Sequence, residues 1–187
     1  MEAHVKTVRE ILHSGDQFLV PFFQRHYSWR KENWQRLLDD IVALTEESDD
    51  PKHFLGPLVC TPFHPVPGEV TSYQLIDGQQ RLATLSIALA ALRDVAKLND
   101  LESLGEEIHE DYLIHRRAQG LKRLKVVPRL GDRSDYESII EGNPVGVVAA
   151  TGLLGGYSFF KREWRRHVGG DGEAATRGFC TQLEARV

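Results

Sequence analysis

The hydrophobic pattern changes period once, near the middle of the chain. From Thr71 to Ile76 apolar and polar residues alternate, the two-residue period of a half-buried strand. From Gln80 onward Leu82, Leu85, Leu89, Leu92 and Ala96 recur at helical spacing, with Ile87 and Ala88 filling in, which predicts a long helix to about Leu98. Gly78 supplies the turn between them. The strongly polar residues of the stretch, Asp77, Gln79, Gln80 and Arg81, all fall at this junction.

The same reading places the other elements. Thr7-Val8-Arg9-Glu10 is a capping box that opens a short helix, Gln17 to Val20 is a short strand, and Pro21 stops it. Lys31 to Glu47 is amphipathic, with Trp34, Leu37, Leu38, Ile41 and Leu44 on one stripe. Its acidic end (Glu46, Glu47, Asp49, Asp50) reads as a solvated terminus closed by Pro51. His53 to Phe63 is strand-like with a bend at Gly56-Pro57, and pairs antiparallel with Thr71 to Ile76. Pro62 to Gly68 forms a loop between them. Leu101 to His115 is helical, Leu124 to Leu130 a strand broken by Pro128, and Ser134 to Glu141 a short helix. Val145 to Gly156 is a Gly- and Ala-rich loop, followed by a helix from about Leu154 to His167.

Composition sets limits on this picture. In 187 residues, 41% hydrophobic content supports a core and 27% charged residues a polar surface. A net charge of -4 argues against attraction of nucleic acid by the whole molecule and leaves a local basic face open. No apolar run approaches membrane-spanning length, and the N-terminus lacks the pattern of a signal peptide. Cys60 and Cys180 form no metal or redox spacing, which points to a reduced, cytoplasmic protein. His53, Cys60 and His64 match no common zinc spacing. Two basic strips stand out. One is His115, Arg116, Arg117, Lys122, Arg123, Lys125, Arg129 and Arg133, and the other is Lys161, Arg162, Arg165 and Arg166. Each reads either as a solvated face or as a contact with a phosphate backbone.

The junction has two readings. The first N–H groups of a helix lack intrahelical partners and carry partial positive charge, so they receive anions, phosphate above all. Gly78 keeps side-chain bulk away and tolerates positive φ. Arg81 could grip a phosphate with two hydrogen bonds, Asp77 could hold Mg²⁺, and Gln79 and Gln80 could orient a water or read a base edge. Structurally, Asp77 with Gln80 fits a capping box. A second unusual stretch runs from Pro21 through Phe22, Phe23, Gln24, Arg25, His26, Tyr27 and Ser28 to Trp29. Phe22 and Trp29 read as anchors onto the core. Gln24 and Arg25 beside aromatic rings suit base stacking and phosphate binding.

Asp77-Gly78-Gln79-Gln80-Arg81 resembles the DGQQR signature of the GmrS-type domain, the N-terminal half of modification-dependent restriction proteins such as GmrSD and SspE. Val20 to Trp29 resembles that family's P-x-Y-Q-R-x-Y-x-W, and His53-Phe54-Leu55-Gly56 its F-L-G strand. Phe23 stands where the family often has Tyr. The resemblance implies an α+β fold of ParB/sulfiredoxin-like type, a small mixed sheet flanked by helices with a helical C-terminal extension. Residues 1–168 would form the domain, and 169–187 a linker with the start of a truncated helical region. The family usually continues into an HNH nuclease domain, which this sequence lacks.

The resemblance further implies use of a nucleoside triphosphate, GTP in first place, with Mg²⁺ at Asp77. Asp77, Gln79, Gln80 and Arg81 would be catalytic, and Gly78, Arg81, Gln24 and Arg25 would hold the nucleotide. Pro21, Phe23, Gln24, Arg25, Tyr27 and Trp29 would contact DNA, modified DNA in particular. A phosphorothioate sulfur is polarisable and a weak acceptor, so the apolar wall that Phe23 leaves there suits it. A homodimer stays open. The expected function is therefore an NTPase and sensor domain of an antiphage restriction protein. The alternative is a binding module for modified DNA without hydrolysis. A nuclease role for this chain is disfavoured by the lack of an HNH set or a P-D-x-x-x-E-x-K pattern. Any NTPase is not of the G-x-x-x-x-G-K-S/T type.

Overall fold

A computed structural model describes residues 4, 6–46, 56–63, 68, 70–144 and 151–168. The elements are α1 (Val8–Leu12), β1 (Gln17–Leu19), α2 (Lys31–Glu46), β2 (Val59–Phe63), β3 (Ser72–Asp77), α3 (Gln79–Leu98), α4 (Glu102–Ile108), β4 (Val126–Val127), α5 (Leu130–Ile140) and α6 (Gly152–Val168). The fold is α+β, with a four-stranded mixed sheet in the order β2-β3-β1-β4 and helices around it.

The strands β1, β3 and β4 run parallel, with Phe18 opposite Tyr73 on one side and Val126 on the other. Only β2 is antiparallel. It pairs Cys60 with Leu75 and Phe63 with Ser72, with an irregularity between Val59 and Cys60. The carboxyl ends of three strands therefore open on one side of the sheet, which is where open α/β sheets place their ligands. Onto that side project the segment after β1, the Gly78 turn after β3, and Pro128-Arg129 after β4.

The core is built around α3. Its residues are buried on every face, from Gln79 to Ala96, as expected for a helix enclosed by others. It packs chiefly against α6 and α4. Ala83, Ala88, Ala90 and Ala91 let its neighbours come close. The indole of Trp164 on α6 donates to the Ala88 carbonyl at 2.9 Å. Gly156 on α6 leaves space that Ile87 and the Trp34 ring occupy: a Cβ there would lie 2.7 Å from Ile87 Cδ1. The buried guanidinium of Arg93 pairs with Asp94 at 2.7 Å and donates to the carbonyls of Ile139 and Ile140, closing the end of α5.

The predicted capping box at Thr7 is present, with Glu10 N donating to Thr7 Oγ1 at 3.0 Å and Thr7 N to Glu10 Oε2 at 2.6 Å. Three expectations need correction. The helix expected over Leu101 to His115 is α4 followed by a wider turn over His109–Leu113. The strand expected over Leu124 to Leu130 shrinks to Val126–Val127, and α5 begins at Leu130, not Ser134. Gly131-Asp132 looks like a turn in isolation, but the His26 ring lies over Gly131, where a Cβ would be 2.6 Å from its Cε1. That contact and the carboxylate of Asp132 near the helix start favour the helical course. The expectations for residues 47–55, 64–67, 145–150 and 169–187 lie outside the described residues. They include most of the F-L-G stretch, the acidic end of α2, the Gly- and Ala-rich loop and the C-terminal linker. No helix among the described residues is long and apolar enough to cross a membrane.

Lys125, counted in the first basic strip, is buried instead. Its ammonium donates to the carbonyls of Leu12 and Asp111, and to that of Ser14 at 3.4 Å, joining α1 to the wider turn at His109–Leu113. Burial pulls its pKa down to about 8, with the Asp111 charge opposing. The unfolded chain therefore holds this proton above pH 8 when the folded chain has released it, and this group's contribution to stability rises from about pH 8 to about 10.4. Urea titrations across that window should show the rise in the wild type and a flatter profile in Lys125→Met. Parallel profiles would show that the amine titrates alike in both states.

Candidate functional site

The turn from β3 into α3 is made by Gly78 at φ 90°, ψ 3°, and no side chain caps the helix. A Cβ at this position would lie 2.7 Å from Leu58 Cδ1 and 3.2 Å from the Pro57 carbonyl oxygen. Glycine is thus required twice, by the backbone conformation and by the close passage of residues 57 and 58. The capping box weighed for Asp77 and Gln80 does not form. Gly78 holds the cap position, and Asp77 ends β3 with its side chain exposed.

Gln80 has another task. Its Oε1 accepts the Ser28 N–H at 2.8 Å and its Nε2 donates to the His26 carbonyl at 3.1 Å. Between these two residues, Tyr27 turns inward. Its hydroxyl bonds Thr84 Oγ1 at 2.6 Å and accepts the Trp34 indole N–H at 2.8 Å, while its backbone N–H donates to Asp132 Oδ2 at 3.0 Å. Burial pushes the phenol up to about 12, against those two side-chain hydrogen bonds, so it stays neutral at working pH. Trp29 packs half-buried on the core, as expected. Phe22 does not: it is 83% exposed, and Phe23 is 67% exposed. The two rings meet edge to face, 5.5 Å between centroids, on a turn closed by Gln24 N donating to the Pro21 carbonyl at 3.2 Å. Gln24 Nε2 donates to the Ile76 carbonyl at 3.0 Å, tying this turn to the end of β3.

These contacts leave a crevice at the carboxyl ends of the parallel strands. It encloses about 250 Å³, its open mouth included, and is lined among others by Arg25, Gln79, Gln80, Arg129, Asp132 and Leu153. The first turn of α3 enters it from one side. The start of α5, capped by no side chain, enters from the other. Arg25 and Arg129 make no side-chain hydrogen bond or ion pair among the described residues. Asp132 is engaged, with its Oδ1 3.4 Å from His26 Nδ1 and its Oδ2 on Tyr27. Gln79 is 9% exposed. Its Nε2 reaches the Arg25 carbonyl at 3.5 Å, and its Oε1 is buried with no partner among the described residues. An orphaned buried acceptor costs about 1–3 kcal/mol, so it marks a place where a donor belongs.

Arg81 is not brought into this crevice. Successive helix positions are about 100° apart, so residues 81, 82 and 85 face away from 79, 80 and 83. Arg81 Nη1 donates to the Pro57 carbonyl at 2.7 Å, and its guanidinium lies against Gly56 beside a small apolar hollow formed by Val8, Ile11, Leu58, Leu82 and Leu85. The sequence thus brings together Gln24, Arg25, Gln79, Gln80 and Tyr27, with Asp77 and Arg81 on the neighbouring flank. Arg129 belonged to a basic strip, and Asp132 lay between the strand expected to Leu130 and the helix expected from Ser134. Nothing local marked either as part of a site, since only the parallel pairing of β4 with β1 carries them there. Among the described residues no group of three His, Cys, Asp or Glu side chains could hold a metal ion.

The basic strips are largely spent within the chain. Arg116 pairs with Glu110, Arg123 with Glu141, and Arg162 and Arg166 with Glu163, while Lys122 reaches Ser72 Oγ at 3.3 Å.

A polar crevice at the carboxyl ends of the parallel strands of an α+β domain defines the class. The family model of the GmrSD restriction endonuclease N-terminal domain matches residues 8–147, and the chain belongs to that family. Membership ties it to a restriction system, whose substrate is DNA. No individual curated protein matches the chain.

Gly78→Ala should lower stability by about 1–3 kcal/mol, from the left-handed backbone and the overlap with Leu58. A denaturant midpoint equal to the wild type would show that the turn does not need glycine.

Proposed function

We propose that this domain binds and hydrolyses a nucleoside triphosphate, GTP in first place, and couples that turnover to recognition of modified DNA by a restriction system. The observation that carries this reading is the crevice itself. Two helix starts without a side-chain cap and two guanidiniums, Arg25 and Arg129, that are unpaired among the described residues converge there on a buried acceptor for which those residues supply no donor. Helix starts and guanidiniums receive phosphate oxygens. Gln79 Oε1 cannot, because it is itself an acceptor, but it can hold a water by one of that water's protons. An attacking water oriented beside a phosphate chain is the main requirement of phosphoryl transfer to water.

Each remaining residue has a supporting part. Gln80 and Tyr27 hold the loop that carries Arg25 and Gln24 against α3. Arg81, on the adjoining flank, can reach a phosphate chain that extends past the start of α3. Mg²⁺ would supply charge neutralisation on the phosphates. Asp77 and Asp132 are the carboxylates suited to hold it, and no all-protein cage is needed because Mg²⁺ takes phosphate oxygens and waters.

A second reading has its own support. Both ends of the Gln80 amide are engaged by the backbone of residues 26 and 28, and Arg81 is held by Pro57. A structural part for both residues suits a DNA-binding module without hydrolysis. Phosphate release from a panel of nucleoside triphosphates with Mg²⁺, with plain and with phosphorothioate DNA, separates the readings. Release should occur, fastest with GTP, and Gln79→Ala should lower kcat about 10²-fold or more with KM little changed. Arg25→Ala and Arg129→Ala should chiefly raise KM, and Arg81→Ala should abolish turnover in a folded protein. No release under any condition selects the module.

A further inference from the structure

The crevice has an apolar rim. Seven large hydrophobic side chains are exposed among the described residues, and four of them, Phe22, Phe23, Ile76 and Leu130, follow or end the parallel strands at their carboxyl side. Their exposures are 83%, 67%, 55% and 74%. The three most exposed of the seven, Phe22, Leu130 and Phe23, all closely follow the carboxyl ends of parallel strands. The Phe22-Phe23 turn is also held in place, by the hydrogen bond across Pro21 to Gln24 and by the Gln24 amide on Ile76. Two rings edge to face on a pinned turn form an exposed apolar projection.

What surrounds the rings identifies the occupant. Arg25 follows two residues after Phe23 and Arg129 directly precedes Leu130, both without an ion-pair partner among the described residues. Aromatic faces alternating with unpaired guanidiniums match the two surfaces of a nucleotide, the base and the phosphate. A purely apolar protein partner would bury Arg25 and Arg129 without compensation, at a desolvation cost that DNA avoids.

We propose that Phe22, supported by Phe23, stacks on a nucleobase displaced from the DNA helix, so that the domain reads its DNA with one base step opened. This rests on the DNA-recognition half of the reading above and adds to it the contact and the distortion. An opened step brings the adjoining phosphate toward the guanidiniums, which gives the rim and the crevice a common ligand.

The test uses the full chain and duplexes carrying 2-aminopurine, plain and phosphorothioate. Anisotropy reports binding, and 2-aminopurine fluorescence reports unstacking. The wild type should bind and raise the fluorescence several-fold. Phe22→Ala should remove that rise and weaken binding about 5- to 100-fold, the range for loss of one base–aromatic stack. Phe22→Trp should retain the affinity. Leu98→Ala is the control: Leu98 is 58% exposed, but lies at the far end of α3, about 30 Å from the rim by helix length. Binding without a fluorescence change, or a rise that persists in Phe22→Ala, overturns the stacking proposal and leaves DNA recognition standing. No DNA binding at all overturns both. Self-association that Phe22→Ala abolishes, without DNA binding, would assign the rim to protein contact.

Discussion

One buried amide organises the functional end of this molecule. Gln80 offers an acceptor and a donor on the same planar group, and residues 26 and 28 present a carbonyl and an N–H at the matching separation. The side chain thus imitates one rung of a β-ladder, with a helix standing where the strand would be. Removing it would take their side-chain partner from the part-buried Ser28 N–H and His26 carbonyl and release the loop from α3. Because Tyr27 lies between the two bonds, the amide also drives that ring inward onto Thr84 and Trp34, and its N–H onto Asp132. Four separate pieces, α2, α3, α5 and the loop after β1, are joined through three consecutive residues of that loop. The positions of Arg25, Gln24 and the two phenylalanines follow from that joint.

The five-residue turn divides its labour by direction around the helix. Asp77 ends the strand. Gly78 permits the left-handed step and the passage of Leu58. Gln79 and Gln80 point toward the parallel strands' open ends, Gln80 satisfied and Gln79 half satisfied. Arg81 points to the β2 side and ties Pro57 to the start of α3. A polar cluster that is contiguous in sequence therefore serves two flanks. The unsatisfied atom on one flank and the guanidinium on the other are separated by the start of α3.

How far the sequence discloses this differs by element. The change from a two-residue to a helical period located β3 and α3 closely, because both are long and the glycine between them is unambiguous. The Thr7 box and the stripe of α2 were equally plain, since capping and amphipathicity are local. Short β4 and the start of α5 were not. Val126-Val127 becomes a strand only by pairing with Leu19 and Phe18, and Gly131 joins a helix because His26 from a distant loop lies on it. The same holds within the site. Asp77 and Gln80 have the spacing of a capping box, yet the carbonyl and N–H of the loop compete for the Gln80 amide and win. Phe22 reads as a core anchor from composition, but Pro21 is itself buried and turns the chain outward directly after it.

Charge shows why a net value says little about binding here. The chain carries -4 overall, and most of its clustered Lys and Arg side chains are matched by nearby carboxylates or backbone carbonyls. Such pairs project little field into solvent beyond about 10 Å at ordinary ionic strength. An unmatched guanidinium keeps its field, and Arg25 and Arg129, without partners among the described residues, line a crevice at which two helix starts add dipoles of the same sign. The pairing of Arg116, Arg123, Lys161, Arg162 and Arg166 with carboxylates lessens competition with that small positive focus, where an anion would gain from all four contributions at once. Under the proposed function the exposed rings around it would discriminate among anions in turn: a bare phosphate would gain nothing from them, whereas a nucleotide would present a base to the rim and its phosphates to the floor.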